Sequence, residues 1–189
     1  MIRRIVSVAA AVLAVALFAG PVHAAADGVT LDGSLILATE PAGGYDSTVG
    51  IGVGVLVDLS SRMKTSSKDM KLGLRGDLAY FDWEGNIYGT GVSYWRLMFF
   101  GGPRLTYQPG GRSDIAPYLE GGLELGYGEA EVVVPGIGRS GSTEIDLGLA
   151  GGGGVDFFLT KNIKLGINAR LHLISDSFLA IGFTLGTIF

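Results

Sequence analysis

Three residues near the C-terminus carry side chains suited to nucleophilic catalysis. His172, Ser175 and Asp176 lie within one short stretch of chain. A serine hydroxyl becomes a nucleophile when a histidine within hydrogen-bonding reach takes its proton and a third group orients the histidine. The alternation of residues around His172 turns this side chain towards the polar face of its segment. His172 is also the only histidine beyond residue 24, so the sequence predicts no catalytic residue and no enzyme.

Charged side chains form a second set with chemical potential, because they recur on one parity of alternating segments. Unpaired buried charges are costly, so charges that share an inner face are expected to form a connected network of ion pairs. A turn near residue 112 places Arg104 opposite Glu120 or one step diagonal to it, and a turn at Lys161 brings Asp156 near Lys164. The predicted members of the network are Lys71, Arg75, Asp77, Arg96, Arg104, Glu120, Glu124, Asp146, Asp156, Lys164 and Arg170.

The elements that must position these side chains are segments of strand periodicity. Apolar residues alternate with polar or small ones in eight segments: 29–39, 49–59, 70–83, 94–108, 117–128, 144–159, 163–173 and 178–189. Each is long enough to cross a bilayer on a tilt, which takes about 9–11 residues. Past residue 24 no apolar run approaches the roughly 20 residues of a membrane helix. The pattern predicts an all-β fold, an eight-stranded antiparallel transmembrane β-barrel; a soluble lipocalin-like barrel or sandwich is the alternative, with shorter strands.

The N-terminus has the features of a secretory signal peptide. Arg3 and Arg4 precede an apolar run over 5–19, and small residues follow at the positions a signal peptidase reads. We expect cleavage after Ala24, with Ala26 as the alternative. The predicted organisation is therefore a signal peptide at 1–24 and an outer-membrane barrel domain at 25–189.

Composition narrows the class further. The mean hydropathy is +0.41, the formal net charge is −4 and the chain has no cysteine. High hydropathy without a helical span is typical of membrane strands, whose apolar residues are spread over alternate positions. No basic stripe interleaved with aromatic residues is present, which argues against a nucleic-acid partner. No cofactor is predicted.

The links between strands predict the topology. If both termini lie in the periplasm, the outer links are 40–48, 84–93, 129–143 and 175–177. The aromatic residues near strand ends predict two interfacial girdles, an outer one at Tyr80, Trp83, Tyr88, Trp95 and Tyr127 and an inner one at Tyr107, Phe157 and Phe189. Pro103 after Gly101-Gly102 predicts a bulge or a bend.

One outer link contains a candidate binding loop. Val132, Val133 and Val134 precede Pro135-Gly136, which predicts a strand that continues beyond the membrane and then turns. An unpaired edge there would present backbone groups to a partner.

An eight-stranded barrel is only wide enough for its own side chains, so a plugged lumen is expected. Inward glycines keep a narrow channel open as an alternative: Gly50, Gly52, Gly54, Gly148, Gly152 and Gly154.

The run F-F-G-G-P-R-L-T-Y at 99–107 and the closing strand that ends at Phe189 resemble those of small outer-membrane barrels, the family that includes OmpX, opacity proteins and the OmpA transmembrane domain. The resemblance implies a monomer in the bacterial outer membrane that contacts lipid and lipopolysaccharide. It implies that the barrel insertion machinery reads Phe189, and that the barrel has a structural or surface role exerted through outer loops that bind a surface ligand.

A lipid A deacylase of the outer membrane is also a small barrel with a His, a Ser and an acid near its outer rim. The spacing here is H-x-x-S at His172 and Ser175, not the H-x-S-N of that family. A lipid A-modifying enzyme is therefore kept only as an alternative function.

Overall fold

The chain forms a closed barrel of eight antiparallel strands. The computed structural model describes residues 28–41, 45–60, 69–87, 90–111, 114–134 and 138–189. Each strand pairs with the next, and β8 closes onto β1 with Thr30 opposite Ile188 and Ala38 opposite Ala180. The predicted fold class is confirmed. The strands are β1 Val29–Ala38, β2 Thr48–Asp58, β3 Met70–Ile87, β4 Thr90–Tyr107, β5 Ile115–Val134, β6 Gly138–Phe158, β7 Ile163–Leu173 and β8 Phe178–Ile188.

The predicted signal peptide at 1–24 lies outside the described residues, and its cleavage stays a prediction. Within the described part of the chain, no helix is both long and apolar enough to cross a membrane.

Strand length divides the barrel into two halves. The short half, β7-β8-β1-β2, has strands of 10 or 11 residues, whereas the long half, β3 to β6, has strands of 18 to 21. The surplus of the long half stands beyond the barrel as a four-stranded sheet, which we call the extension: residues 81–87, 90–95, 128–134 and 138–147.

The extension replaces two predicted loops, at 84–93 and 129–143. Pairing continues to Ile87 opposite Thr90 and to Val134 opposite Gly138. Beyond the lipid both faces of a strand meet water, so the alternation of apolar and polar residues fades although the pairing persists. Barrels of this class have short periplasmic turns and long extracellular excursions, so the extension marks the extracellular end.

The predicted inward and outward faces are confirmed along every strand. Leu147 on the outer face of β6 is 74% exposed, whereas Arg96 on the inner face of β4 is completely buried. The barrel is therefore apolar towards lipid and charged towards its axis, the arrangement expected of a membrane barrel.

Pro103 does not mark a bulge. Gly101 pairs with Leu123 and Arg104 pairs with Glu120, so the register is the same on both sides and no residue is inserted. The ladder of backbone hydrogen bonds between β4 and β5 is interrupted at Pro103 because proline has no N–H to donate. Gly102 lies so close to the backbone of Gly121 and Gly122 that a Cβ would not fit, which makes this a point of close strand approach.

Outward aromatic residues mark the extracellular interface. The rings of Tyr80 and Trp95 are 6.4 Å apart, and those of Trp95 and Tyr127 are 5.6 Å apart. Trp83 is not part of this girdle, because its parity turns it inward, where it is fully buried; Tyr88 lies outside the described residues. At the other end Tyr107, Phe157 and Phe189 are exposed on the outer face.

Candidate functional site: the lumen and the extension

In the periplasmic third of the lumen, one carboxylate forms ion pairs with two cations. Lys164 Nζ lies 2.9 Å from Asp156 Oδ2, and the Arg104 guanidinium also pairs with Asp156. The guanidinium sits over the Tyr118 ring, 3.3 Å from its centroid. Glu120 lies opposite Arg104 in the register, yet it pairs elsewhere. The cluster links β4, β6 and β7 across the lumen.

The middle of the lumen contains a continuous chain of charges. Arg75 Nη1 lies 2.5 Å from Asp32 Oδ2, and Arg75 Nη2 lies 2.5 Å from Asp77 Oδ1. Asp77 also pairs with Arg170 at 2.7 Å, and Arg170 pairs with Glu120. Asp32, on the inner face of β1, is not among the predicted members of the network. The chain of pairs connects β1, β3, β7 and β5, so it joins the two halves of the barrel.

Towards the extracellular end, the carboxylates outnumber the cation that they contact. Arg96 Nη2 lies 2.6 Å from Asp146 Oδ2 and 3.9 Å from Glu144 Oε2. Two buried guanidinium nitrogens of Arg96, Nε and Nη1, have no hydrogen-bond partner among the described residues. Lys71 lines the periplasmic end of the lumen and has no ion pair to any described residue.

His172 and Ser175, whose side chains are of types suited to nucleophilic catalysis, have separate partners. His172 Nδ1 lies 2.7 Å from Glu124 Oε1, and its ring stacks on Phe178 with centroids 4.3 Å apart. Ser175 Oγ donates to Asp146 Oδ1 at 2.5 Å. No hydrogen bond joins His172 to Ser175 within the described residues, so the proton transfer that a serine nucleophile needs has no path there. Those residues also contain no group of three or more His, Cys, Asp or Glu side chains placed to hold a metal.

An aromatic cap closes the extracellular mouth of the lumen. It consists of Phe81, Trp83, Tyr94 and Phe178, all buried. The ring centroids are 5.1 Å apart for Phe81 and Trp83, and 5.6 Å apart for Trp83 and Tyr94. The cap was not predicted, because Trp83 was expected in the girdle; the alternation along β3 is the signal that places Trp83 inside.

Side chains occupy the space beside three of the inward glycines. Phe81 fills the space beside Gly50, Arg75 and Asp77 fill the space beside Gly54, and the Tyr118 hydroxyl lies beside Gly154. A cavity of about 40 Å³ lies in the middle of the lumen, and one of about 150 Å³ lies at its periplasmic end. At these three positions the glycines therefore make room for side chains.

The β5 segment at Val132–Val134 is not an unpaired edge. Val133 pairs with Gly91 of β4 and with Arg139 of β6, so this strand lies inside the extension. Pro135 lies outside the described residues. The edge at β3 is also covered, because Tyr45 bridges to Gly85 and the Asp46 N–H donates to the Glu84 carbonyl at 2.9 Å.

The open edge of the extension is on β6. Pairing with β7 begins only at Leu149, opposite Leu173, so no described strand covers residues 138–147 on that side. The direction of the backbone groups on β6 is set at its periplasmic end, where the Phe158 N–H donates to the Asp114 carbonyl towards β5 and the Leu159 N–H donates to the Ile163 carbonyl towards β7. Even-numbered residues of β6 therefore bond towards β5 and odd-numbered residues bond towards β7, because successive residues of an antiparallel strand bond to opposite sides. The backbone groups that point to the open side of the extension are those at residues 139, 141, 143, 145 and 147.

This architecture has relatives among known proteins. The family model described as the outer membrane protein beta-barrel domain matches residues 10–189. The chain belongs to this family. It is thus a protein of the bacterial outer membrane, and the outer faces of its strands meet lipid.

Two solved structures show the shared fold. Ail, the attachment invasion locus protein of Yersinia pestis, is 12% identical, with a TM-score of 0.53, covering 85% of this chain and 95% of Ail; a second Ail structure holds the heparin analogue sucrose octasulfate. OprG of Pseudomonas aeruginosa is 11% identical, with a TM-score of 0.55, covering 87% of this chain and 97% of OprG. No curated protein matches the sequence.

The extracellular end of this outer-membrane barrel is strongly acidic. Only two basic residues, Arg96 and Arg139, lie in the stretches 39–47, 81–96, 128–147 and 174–177. The same stretches contain the acidic residues Glu40, Asp46, Asp82, Glu84, Glu129, Glu131, Glu144, Asp146 and Asp176. The pKa of Tyr45 is raised, first by burial and then by the negative charges of Asp176 and Glu144 at this end.

Proposed function

We propose that this barrel acts at the cell surface by binding an external partner through its extension. One observation carries the proposal: β6 presents an open edge outside the membrane, above a lumen that is filled with side chains. Unpaired N–H and C=O groups in an extended row are a template for strand addition by another polypeptide. A filled lumen leaves the extension as the part of the molecule that meets the outside.

The edge is suited to strand addition because its backbone is accessible. Every described side chain from Gly138 to Ile145 is exposed, and the five free backbone positions offer up to ten hydrogen bonds. Thr143 lies near the centre of the edge and has a small side chain, so an approaching strand meets little steric obstruction there.

Shortening the hairpin tests the proposal. Ala130 pairs with Ser142, so deletion of residues 131–139 leaves Ser140-Gly141 as a two-residue turn between paired positions. We expect the shortened barrel to insert and to retain its heat-modifiable migration on gels, while binding of expressing cells to host cells or matrix proteins is weakened, because only residues 143, 145 and 147 of the open edge remain. Unchanged binding by the shortened protein would contradict the proposal.

The two other candidate functions have direct tests of their own. A narrow channel predicts steady single-channel conductance in planar bilayers; the filled lumen supports the absence of such conductance. A lipid A-modifying enzyme predicts a mass change in lipid A from expressing cells, abolished by His172→Ala. We expect no conductance because the lumen is filled with side chains. We expect no change in lipid A because His172 and Ser175 contact different acids.

We also propose that Phe189 serves as the residue read by the insertion machinery. Its ring is 59% exposed on the lipid-facing side, while its backbone N–H donates to Val29 at 2.9 Å. Phe189→Ala keeps that backbone bond, so it is expected to lower the amount of barrel assembled in cells and to leave refolding in detergent unchanged. Equal assembly in cells would remove this role.

A further inference from the structure

We propose that the strand accepted by the β6 edge is cationic, with Lys or Arg at alternate positions, one of which faces Glu144. This inference rests on the proposed function and names the chemistry of its partner. It follows from which side chains flank the edge, on each face of the extension.

On the inner face, the edge presents one partly exposed carboxylate, Glu144, in a place that a partner's side chain would oppose. The other residues of this face are Ser140 and Ser142, which are uncharged, and Asp146, which already contacts Arg96 and Ser175. The Glu144 side chain is 45% exposed and lies 3.9 Å from Arg96, so its charge is only partly compensated. Opposite charges that face each other across adjacent strands stabilise a pair, and like charges destabilise it. A Lys or Arg across from Glu144 is therefore favoured.

On the outer face, the acidic character extends beyond the edge itself. Glu129 and Glu131 lie on β5, the neighbouring strand, and face outward. The β6 residues of that face nearest the lipid are Ile145 and Leu147, which are 71% and 74% exposed. A strand laid along the edge thus meets acid on its inner face and apolar surface on its outer face near the membrane. A partner strand in which cationic residues alternate with neutral or apolar residues matches both faces.

Other occupants fit less well. A sulfated glycan would bring negative charge to an end that has nine acidic residues and two basic ones. A second copy of this chain, paired edge to edge, would place Glu144 and Asp146 of both copies against each other or against uncharged Ser residues. Complementary potentials favour a basic polypeptide over both.

The test uses the refolded full barrel in a zwitterionic detergent and three fluorescein-labelled ten-residue peptides. One alternates Lys with Thr, one alternates Glu with Thr, and one has five Lys followed by five Thr. Fluorescence anisotropy at low salt is expected to show binding of the alternating Lys peptide about tenfold tighter than either other peptide, since opposite charges on adjacent strands attract and like charges repel. Salt at 0.5 M is expected to reduce that preference.

Two pairs of variants separate the edge from its charge. The Thr143 N–H points to the open side, so Thr143→Pro removes an edge donor without removing a bond to β5; Thr143→Val keeps the donor and is its control. Glu144→Gln is expected to weaken the alternating Lys peptide about threefold. Glu40→Gln, which removes an acid at the same end away from the edge, is expected to leave its affinity unchanged.

The outcomes are distinguishable. If the alternating Lys and Glu peptides bind equally and Thr143→Pro abolishes both, the edge binds strands but the cationic preference is refuted. If Thr143→Pro leaves binding of the Lys peptide intact, strand addition itself is refuted and the proposed function fails with it. Self-association of the wild-type barrel that Thr143→Pro abolishes would identify a second copy as the occupant and overturn the inference.

Discussion

The two halves of the barrel use the same alternation for different purposes. In the short half the inward positions are often small: Gly50, Gly52 and Gly54 on β2, and Ala180, Gly182 and Gly186 on β8. In the long half they are bulky and charged or aromatic: Arg75, Phe81 and Trp83 on β3, and Arg96, Met98, Phe100 and Arg104 on β4. The difference shows that β2 and β8 provide space, and that β3 and β4 provide many of the side chains that fill it, together with Lys164, Arg170 and His172 of β7.

The halves also differ at the extracellular end. Strands of the short half end near the membrane surface, whereas those of the long half continue into the extension. Among the residues that the structure describes, the seam at β2–β3 is covered by Tyr45 and Asp46, and no strand covers the seam at β6–β7 beyond Leu149. The asymmetry in length is what creates the open edge.

The largest effect is expected from breaking the charge chain that joins the halves. Arg75→Ala leaves Asp32 and Asp77 buried without this cation, and such a loss typically destabilises by about 3–5 kcal/mol. Urea-induced unfolding in lipid vesicles, followed by tryptophan fluorescence, measures it. Glu40→Gln serves as the exposed control and is expected to change the unfolding free energy by less than about 0.5 kcal/mol. A small effect of Arg75→Ala would show that the halves are not held together by charge.

The next effect tests the aromatic cap. Trp83→Ala removes a fully buried ring from contact with Phe81, Tyr94 and Phe178, with an expected loss of about 3 kcal/mol. Trp95→Ala, on the lipid-facing girdle of the neighbouring strand, is expected to cost less than half as much, because its ring is not enclosed on all sides. Equal losses in the same unfolding experiment would contradict the distinction between cap and girdle.

A third prediction tests the space that the short half provides. A Cβ at Gly54 would meet the Arg75 guanidinium and the Asp77 carboxylate, whereas a Cβ at Gly33 would meet nothing within 4 Å. Gly54→Ala is therefore expected to destabilise the barrel by about 1–3 kcal/mol. Gly33→Ala is expected to be neutral or slightly stabilising. The reverse order would mean that the lumen near β2 is not filled.

The smallest effect concerns the acidic extracellular end. Folding raises the Tyr45 pKa through burial and the nearby carboxylates. The unfolded chain therefore loses this proton first, and the contribution of neutral Tyr45, present below about pH 10, is lost as the pH rises above it. Unfolding measured between pH 9 and pH 12 is expected to show a slightly smaller alkaline loss of stability in Tyr45→Phe than in wild type. An identical profile would contradict the raised pKa.

Much of the fold was predictable because lipid imposes a strict two-residue period. The strand count, the antiparallel order and the inward or outward face of each residue all follow from that constraint. Strand ends were not predictable at residues 84–93 and 129–143, since above the membrane both faces meet water and the period is lost. The open edge on β6 depends on where β7 stops, which is a property of two strands together and is visible in neither one alone.

Pairing partners within the lumen were predictable only in part. The turn at Lys161 is short, so Asp156 near Lys164 follows from local geometry. Arg104 lies opposite Glu120 on adjacent strands as the register requires, yet long side chains reach across the narrow lumen, and Arg104 contacts Asp156 while Glu120 contacts Arg170. Such cross-lumen choices depend on the shape of the whole interior.

The measurement that tests the central claim most directly is residue-by-residue amide hydrogen exchange along 138–147 of the folded barrel, by NMR in detergent or nanodiscs. The account predicts fast exchange at residues 139, 141, 143, 145 and 147 and protection at residues 140, 142, 144 and 146, whose N–H groups bond to β5. It also predicts that the alternating Lys–Thr peptide slows the fast set. Uniform protection of both sets in the free protein would show that the β6 edge is already covered and would contradict the account.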